Sequence, residues 1–230
     1  MFSSPNNPTG TVYTKDELAA LAKVFEKYPN LFIISDEIYE HINFLNKHES
    51  IAQFSEIKDR VIIINGLSKA YAMTGWRIGY SASSKEIANA CDKLQSQITS
   101  GTSSITQKAG VAAYEGGLDT VYEMKEVFLR RRDLVYGLLK EIPGLKVNLP
   151  GGAFYFFPDV SSFFGKTTPD GEVIKDADEL ALYLLNTGHV AVVSGDAFGD
   201  TKCIRISYAA SDDKLTEAAS RIKNALGQLK

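Results

Sequence analysis

Lys69 stands in Asn65-Gly66-Leu67-Ser68-Lys69-Ala70, just past the apolar run Val61-Ile62-Ile63-Ile64, and Arg77 follows eight positions later. A lone lysine usually lays its stem on the surface and keeps its charge in water. At the carboxyl end of a strand, where open α/β sheets place ligands, a neutral amine could instead attack a carbonyl. Burial and neighbouring cations are what keep such amines neutral. Asp36 closes another apolar run, residues 31–34, in Ser35-Asp36-Glu37-Ile38-Tyr39. It could cap a following helix. Alternatively, its carboxylate could meet a protonated pyridine nitrogen, with Tyr39 one helical turn on and facing the same ligand. Arg77 with Ser68 offers forked donors that suit a phosphate, against a plain salt bridge on a strand predicted over residues 76–82. Arg205 is the one cation in Cys203-Ile204-Arg205-Ile206-Ser207-Tyr208. Strand alternation puts it on one face with Cys203 and Ser207, where it needs an anion such as a substrate carboxylate.

Six stretches hold these residues in order: SSPNNPTG, SDEIYEHI, NGLSKAYAMTGWRIGY, PGGAFYFFPDVS, VVSGDAFG and CIRISYA, spread over residues 3–209. Together they resemble the class I, fold type I family of pyridoxal 5′-phosphate-dependent aminotransferases, with closest similarity to bacterial aspartate-type members. The resemblance implies that Lys69 carries the cofactor through an imine and then moves a proton as general base and acid. It implies that Asp36 pairs with the ring nitrogen and that Asn7 and Tyr39 hydrogen-bond the phenolic oxygen. Arg77, with Ser68, would hold the phosphate, and Arg205 the α-carboxylate of the amino acid. The expected activity is ping-pong amino transfer between an aspartate-like or aromatic L-amino acid and a 2-oxo acid, in a homodimer. Family members also use an upstream segment that stacks on the cofactor and reads the distal end of the substrate. The chain therefore resembles the later, larger part of such an enzyme. A lyase or synthase of the same fold, a sensor domain of a transcription regulator, and an inactive fragment remain alternatives.

The elements expected to position these residues alternate. Thr14 and Glu17 form a capping box ahead of Leu18, Leu21, Ala22 and Phe25. Strands are expected over 31–34 and 61–64, with a helical stretch between them. Ser83 and Glu86 should cap a helix carrying Ile87, Ala90, Cys91, Leu94 and Ile98. A long helix over about 117–141 bears Arg130-Arg131-Arg132 on its solvated or subunit-contacting face. Short strands (145–148, 153–158, 190–193, 203–208) and helices near 177–187 and 212–228 follow. The fold class is α/β. The resemblance implies that residues 1–118 belong to the mostly parallel sheet of a large cofactor-binding domain, without that domain's N-terminal part. Residues 119–230 form the linking helix and a smaller α+β domain.

Composition narrows the partners. The 230 residues are 44% hydrophobic and 23% charged with net charge −3, which offers no basic field for nucleic acid or an anionic membrane. No apolar run is of membrane-spanning length, so a cytoplasmic location is expected. Cys91 and Cys203 are expected in the core rather than in a disulfide. His41, His48 and His189 are scattered, and no metal site is expected.

Overall fold

The computed structural model describes residues 1–45 and 47–230. They divide into two units, Met1–Asn6 with Thr11–Lys125, and Asn7–Gly10 with Glu126–Lys230.

In the first unit the strands β1 (Phe2–Ser3), β2 (Ile33–Asp36) and β3 (Val61–Gly66) run parallel, and β4 (Gly79–Ala82) lies antiparallel on β3. Helix α1 (Lys15–Glu26) begins with the expected capping box. The Thr14 hydroxyl accepts the Glu17 N–H at 3.3 Å and the Glu17 carboxylate accepts the Thr14 N–H at 2.8 Å. Leu18 and Ala22 on α1 pack with Ile33, Ile51, Ile57 and Val61 into a buried core. Alternation along β2 turns Ile33 and Ser35 into that core and Ile34 and Asp36 to the other side.

β2 starts two residues later than expected and ends on Asp36 itself. Leu31 and Phe32 stay exposed because residues 28–31 close a turn after α1, where the Arg60 guanidinium donates to the Tyr28 and Leu31 carbonyls. The helical stretch expected between β2 and β3 does not form. The connection consists of turns over 37–42 and two short 3₁₀ segments, Ile51–Gln53 and Lys58–Arg60. Side chains in it bond to nearby backbone, Asn43 to the Leu45 N–H and Ser50 to the Ala52 N–H, and such local bonds compete with a helix.

Helices α2 (Lys85–Ile98) and α3 (Ser104–Glu115) come next. The expected Ser83–Glu86 cap is absent: Ser84 is the N-cap residue, and its side chain makes no capping bond. No residue of α2 is buried, so Cys91 is exposed rather than in the core. Helix α3 was not foreseen, since its alanines and glycine give little periodic signal. Helix α4 (Asp119–Leu139) buries Val121, Phe128, Val135 and Leu139 along one face, as the periodicity predicts.

The second unit holds a three-stranded antiparallel sheet, β5 (Tyr155–Phe156), β7 (Ile204–Ser207) and β6 (Val193–Ser194) in that spatial order. Helices α5 (Ala177–Asn186) and α6 (Asp212–Leu226) accompany it. Residues 145–148 do not form a strand; Lys146 and Asp159 make a single bridge. The Arg130–Arg132 run is not a bare solvated face. Arg130 and Arg131 pair with Asp212 at the start of α6, and Arg132 donates to the Pro150 carbonyl at 3.1 Å.

Candidate active site

In the first unit, the chemistry-bearing residues gather at the ends of two adjacent parallel strands. Asp36 is the last residue of β2, in register with Ile64 of β3 on one side and Ser3 of β1 on the other. Its Oδ1 accepts the Ile38 N–H at 3.1 Å, so the carboxylate does cap, but it caps a turn and not a helix. Tyr39 is therefore placed by successive turns, with Glu40 N–H on the Glu37 carbonyl and Ile42 N–H on the Tyr39 carbonyl, rather than by a helical turn. Tyr39 is buried.

Lys69 lies in the turn that follows β3. The Tyr71 and Met73 N–H groups both return to the Leu67 carbonyl, and the apolar side chains of Leu67, Ala70 and Met73 are buried beneath. That wraps the chain so that Lys69 Nζ lies 5.8 Å from the centre of the Tyr39 ring, within the range of a cation–π contact. The small residues around Lys69 have a second cause beyond access. A Cβ on Gly66 would sit 2.8 Å from Gly79 Cα, so β3 and β4 cross too closely there for any side chain.

Arg77 is not on a strand. It is the left-handed residue (φ 53°) that ends a 3₁₀ turn, Thr74–Trp76, two residues before β4. Its Nη1 donates to the Thr74 carbonyl at 2.8 Å, and among the described residues no ion pair involves it. The guanidinium is exposed, with further donors in its fork. Ser68 is half-buried.

In the second unit the structure brings Arg205 and Asn7 together. Arg205 Nη1 donates to Asn7 Oδ1 at 2.9 Å. The guanidinium lies over two aromatic rings, 4.6 Å from the centre of Tyr155 and 4.7 Å from that of Phe198. The rings fix the plane of the fork and shed water from its faces. Phe198 belongs to the 3₁₀ turn Gly195–Phe198, whose first glycine is forced, because a Cβ there would meet the Asp200 carbonyl at 2.2 Å. Along β7 the expected facing holds, with Ile204 and Ile206 buried and Arg205 and Ser207 less so, and Cys203 is in the core as expected.

A family model for class I and II aminotransferases matches residues 1–222. The chain belongs to that family. A bifunctional aspartate aminotransferase and glutamate/aspartate-prephenate aminotransferase of Petunia hybrida is 49% identical, over 100% of this chain and 49% of its own length. An aspartate aminotransferase of Pinus pinaster is 47% identical, over 98% of this chain and 47% of its own. The crystal structure of the aspartate aminotransferase of Rhizobium meliloti matches with a TM-score of 0.95 at 43% identity, covering 100% of this chain and 58% of that one. The chain thus spans about half the length of the curated relatives it matches. The mixed α/β fold with a mostly parallel sheet agrees with these aminotransferase structures.

Several contacts around the candidates were not legible in the sequence. Tyr155 and Phe198 were legible only as aromatics within GGAFYFF and GDAFG. Glu37 and His48 were passed over, the second as one of three scattered histidines, yet they pair at 2.9 Å. Among the described residues no cluster of His, Cys, Asp or Glu is arranged to hold a metal, and no helix is long and apolar enough to cross a membrane.

Proposed function

We propose that the protein is a pyridoxal 5′-phosphate-dependent aminotransferase that moves an amino group between an aspartate-like or aromatic L-amino acid and a 2-oxo acid. One observation carries this reading. A carboxylate and a phenol leave the end of β2 three residues apart, and the amine of Lys69, after the end of the next parallel strand, lies 5.8 Å from that phenol's ring. The set fits the cofactor group by group. An amine suits its aldehyde, a carboxylate its ring nitrogen, and a phenol and an amide N–H its phenolic oxygen; a guanidinium with a hydroxyl suits its phosphate.

When bound, the cofactor supplies an electron sink for the bond broken at the substrate's α-carbon. Asp36 holds a proton on the ring nitrogen, with Oδ1 steadied by the Ile38 N–H. Lys69 Nζ anchors the group, takes the proton from the substrate Cα and returns it, as general base and acid. Tyr39 donates to the phenolic oxygen. Asn7 does so through Nδ2, because its Oδ1 already accepts from Arg205. Arg77 and Ser68 bind the phosphate. Arg205 binds the α-carboxylate with the donors not used on Asn7. Residues 1–118 carry the cofactor and 119–230 the carboxylate-binding part, in a cytoplasmic homodimer.

The test is to incubate the intact protein with pyridoxal phosphate, ¹⁵N-aspartate and a panel of 2-oxo acids. The label is expected in the amino acid made from the acceptor. Label released as ammonia without need of an acceptor would identify a lyase instead.

A further inference from the structure

Behind the strand end lies a buried polar knot that the proposed chemistry does not use. Glu37 is 4% exposed, and among the described residues it is the only buried carboxylate, lysine, arginine or histidine. Both oxygens of its carboxylate are engaged. Oε1 accepts the Ser35 hydroxyl at 3.0 Å and the Ser50 hydroxyl at 2.7 Å, and Oε2 meets His48 Nε2 at 2.9 Å. His48 Nδ1 is itself buried with no hydrogen-bond partner. A buried imidazole with one nitrogen unsatisfied costs stability, so the bond to Glu37 is what the ring's position serves. Facing a carboxylate oxygen, Nε2 is the donor in that bond.

The place of this knot gives it consequence. Ser35 and Glu37 lie on the core side of the chain as it leaves β2, and Asp36, between them, faces the other side. The Glu37 N–H also extends the ladder, donating to the Ile64 carbonyl at 2.9 Å. On the far side of the connection, Ser50 caps the 3₁₀ turn Ile51–Gln53 through the Ala52 N–H, and Ile51 is part of the first unit's core. The carboxylate therefore ties both ends of the segment 37–50, which carries Tyr39, to one packed base.

We propose that Glu37 and His48 are positioning residues. Their pair, with Ser35 and Ser50, clamps the strand end from behind and fixes the orientation in which Asp36 and Tyr39 meet the cofactor ring. The cofactor half of this inference rests on the function proposed above; the clamp itself does not.

The experiment compares Glu37→Gln, His48→Leu and His48→Gln with the wild type in the intact protein. In the cofactor-free protein, amide exchange across residues 36–42 should quicken about tenfold or more in His48→Leu, which leaves the buried carboxylate short of a donor, and in Glu37→Gln, which removes the charge that strengthens its bonds. Exchange at Leu18 and Ile33 should stay as it was. On adding pyridoxal phosphate, both variants should show a shifted visible absorption band and about tenfold weaker binding. His48→Gln, whose amide can donate to Glu37 without a stranded Nδ1, should return both readouts toward wild type. Unchanged exchange over 36–42 in both disruptive variants overturns the clamp. Faster exchange with an unshifted band and unchanged affinity overturns its role toward the cofactor. A wild type that binds no pyridoxal phosphate overturns the proposed function and the cofactor half with it, while exchange still decides the clamp.

Discussion

Arg205 and Asn7 are 198 positions apart in the chain, and Nη1 of the first donates to Oδ1 of the second at 2.9 Å. A guanidinium accepts nothing, so the amide must turn its oxygen to Arg205 and its N–H₂ elsewhere. One bond thereby fixes both the fork that would take a carboxylate and the donor that would reach a phenolic oxygen.

Replacing Arg205 with Lys keeps the charge but removes the fork and its seat over Tyr155 and Phe198. The apparent KM for amino acids is expected to rise about tenfold or more, while the affinity for pyridoxal phosphate holds. Phe198→Leu should act in the same direction and more weakly, since one cation–π contact is worth about 0.5–2 kcal/mol. Steady-state kinetics at saturating cofactor decide it; a KM unmoved in Arg205→Lys removes the carboxylate role.

Borohydride reduction of the cofactor-loaded protein, followed by peptide mapping, is expected to leave the pyridoxyl group on Lys69. The turn over residues 67–73 brings that amine to the Tyr39 ring, 5.8 Å from its centre. A label found on another lysine, with Lys69 intact, would refute the assignment.

Helices α1, α4, α5 and α6 formed within a few residues of where the sequence predicted them; in α1 and α4 the apolar residues recur on one face and a cap or stop marks an end. The β2–β3 connection was misread for the opposite reason. Its shape comes from Glu37, Asn43 and Ser50 bonding to partners that periodicity does not see, the farthest of Glu37's thirteen residues away. Among the candidate residues, identity and order were legible because the motifs are dense. Their setting was not. Whether Arg77 ends a turn or sits on a strand depends on a left-handed φ, and whether Arg205 is stacked depends on Phe198 arriving from a separate turn.

The cysteines should separate cleanly. Burial and the nearby Asp200 push the Cys203 thiol up to about 12, whereas Cys91 is exposed on α2. Because the thiolate is the reactive form, iodoacetamide at pH 8 should alkylate Cys91 in the folded protein and spare Cys203. Mass spectrometry of the peptides checks this, and equal labelling of both would contradict the buried site.

Asp159 gives an acid-side prediction. Its Oδ1 accepts the Ser161 hydroxyl at 2.6 Å and the Ser161 N–H at 2.8 Å, and Lys146 Nζ lies 3.1 Å from Oδ2. Those bonds, Ser161's first, hold its carboxyl below the usual range. A folded pKa below the unfolded value stabilises the fold above the unfolded value, about 3.9, and that stabilisation is lost as pH falls through the folded pKa. Asp159→Asn should lower the melting temperature at pH 7 by an amount worth about 1 kcal/mol or less, given solvent screening, and flatten the acid limb of the melting profile. Equal losses at pH 7 and pH 2 would count against it.

Helices α2 and α3 leave Leu94, Ile98, Ile105 and Val111 exposed. Apolar groups shown to water in such number favour association. Residues 1–230 purified alone should self-associate at high concentration, and Leu94→Lys with Ile98→Lys should reduce it; sedimentation velocity reads the outcome.

The loop at residues 7–10 leads to a point about the order of events during synthesis. The Gly10 carbonyl accepts from the Gly151 and Gly152 N–H groups, the Thr9 carbonyl from Asn148, and Asn7 from Arg205. Every one of those partners is made more than a hundred residues later. A ribosome adds about 5–20 residues per second, so this turn waits many seconds for the strand and the glycines that satisfy it. The loop emerges well before its partners and settles only after them, and a nascent chain halted before Arg205 would carry this loop without its final anchor.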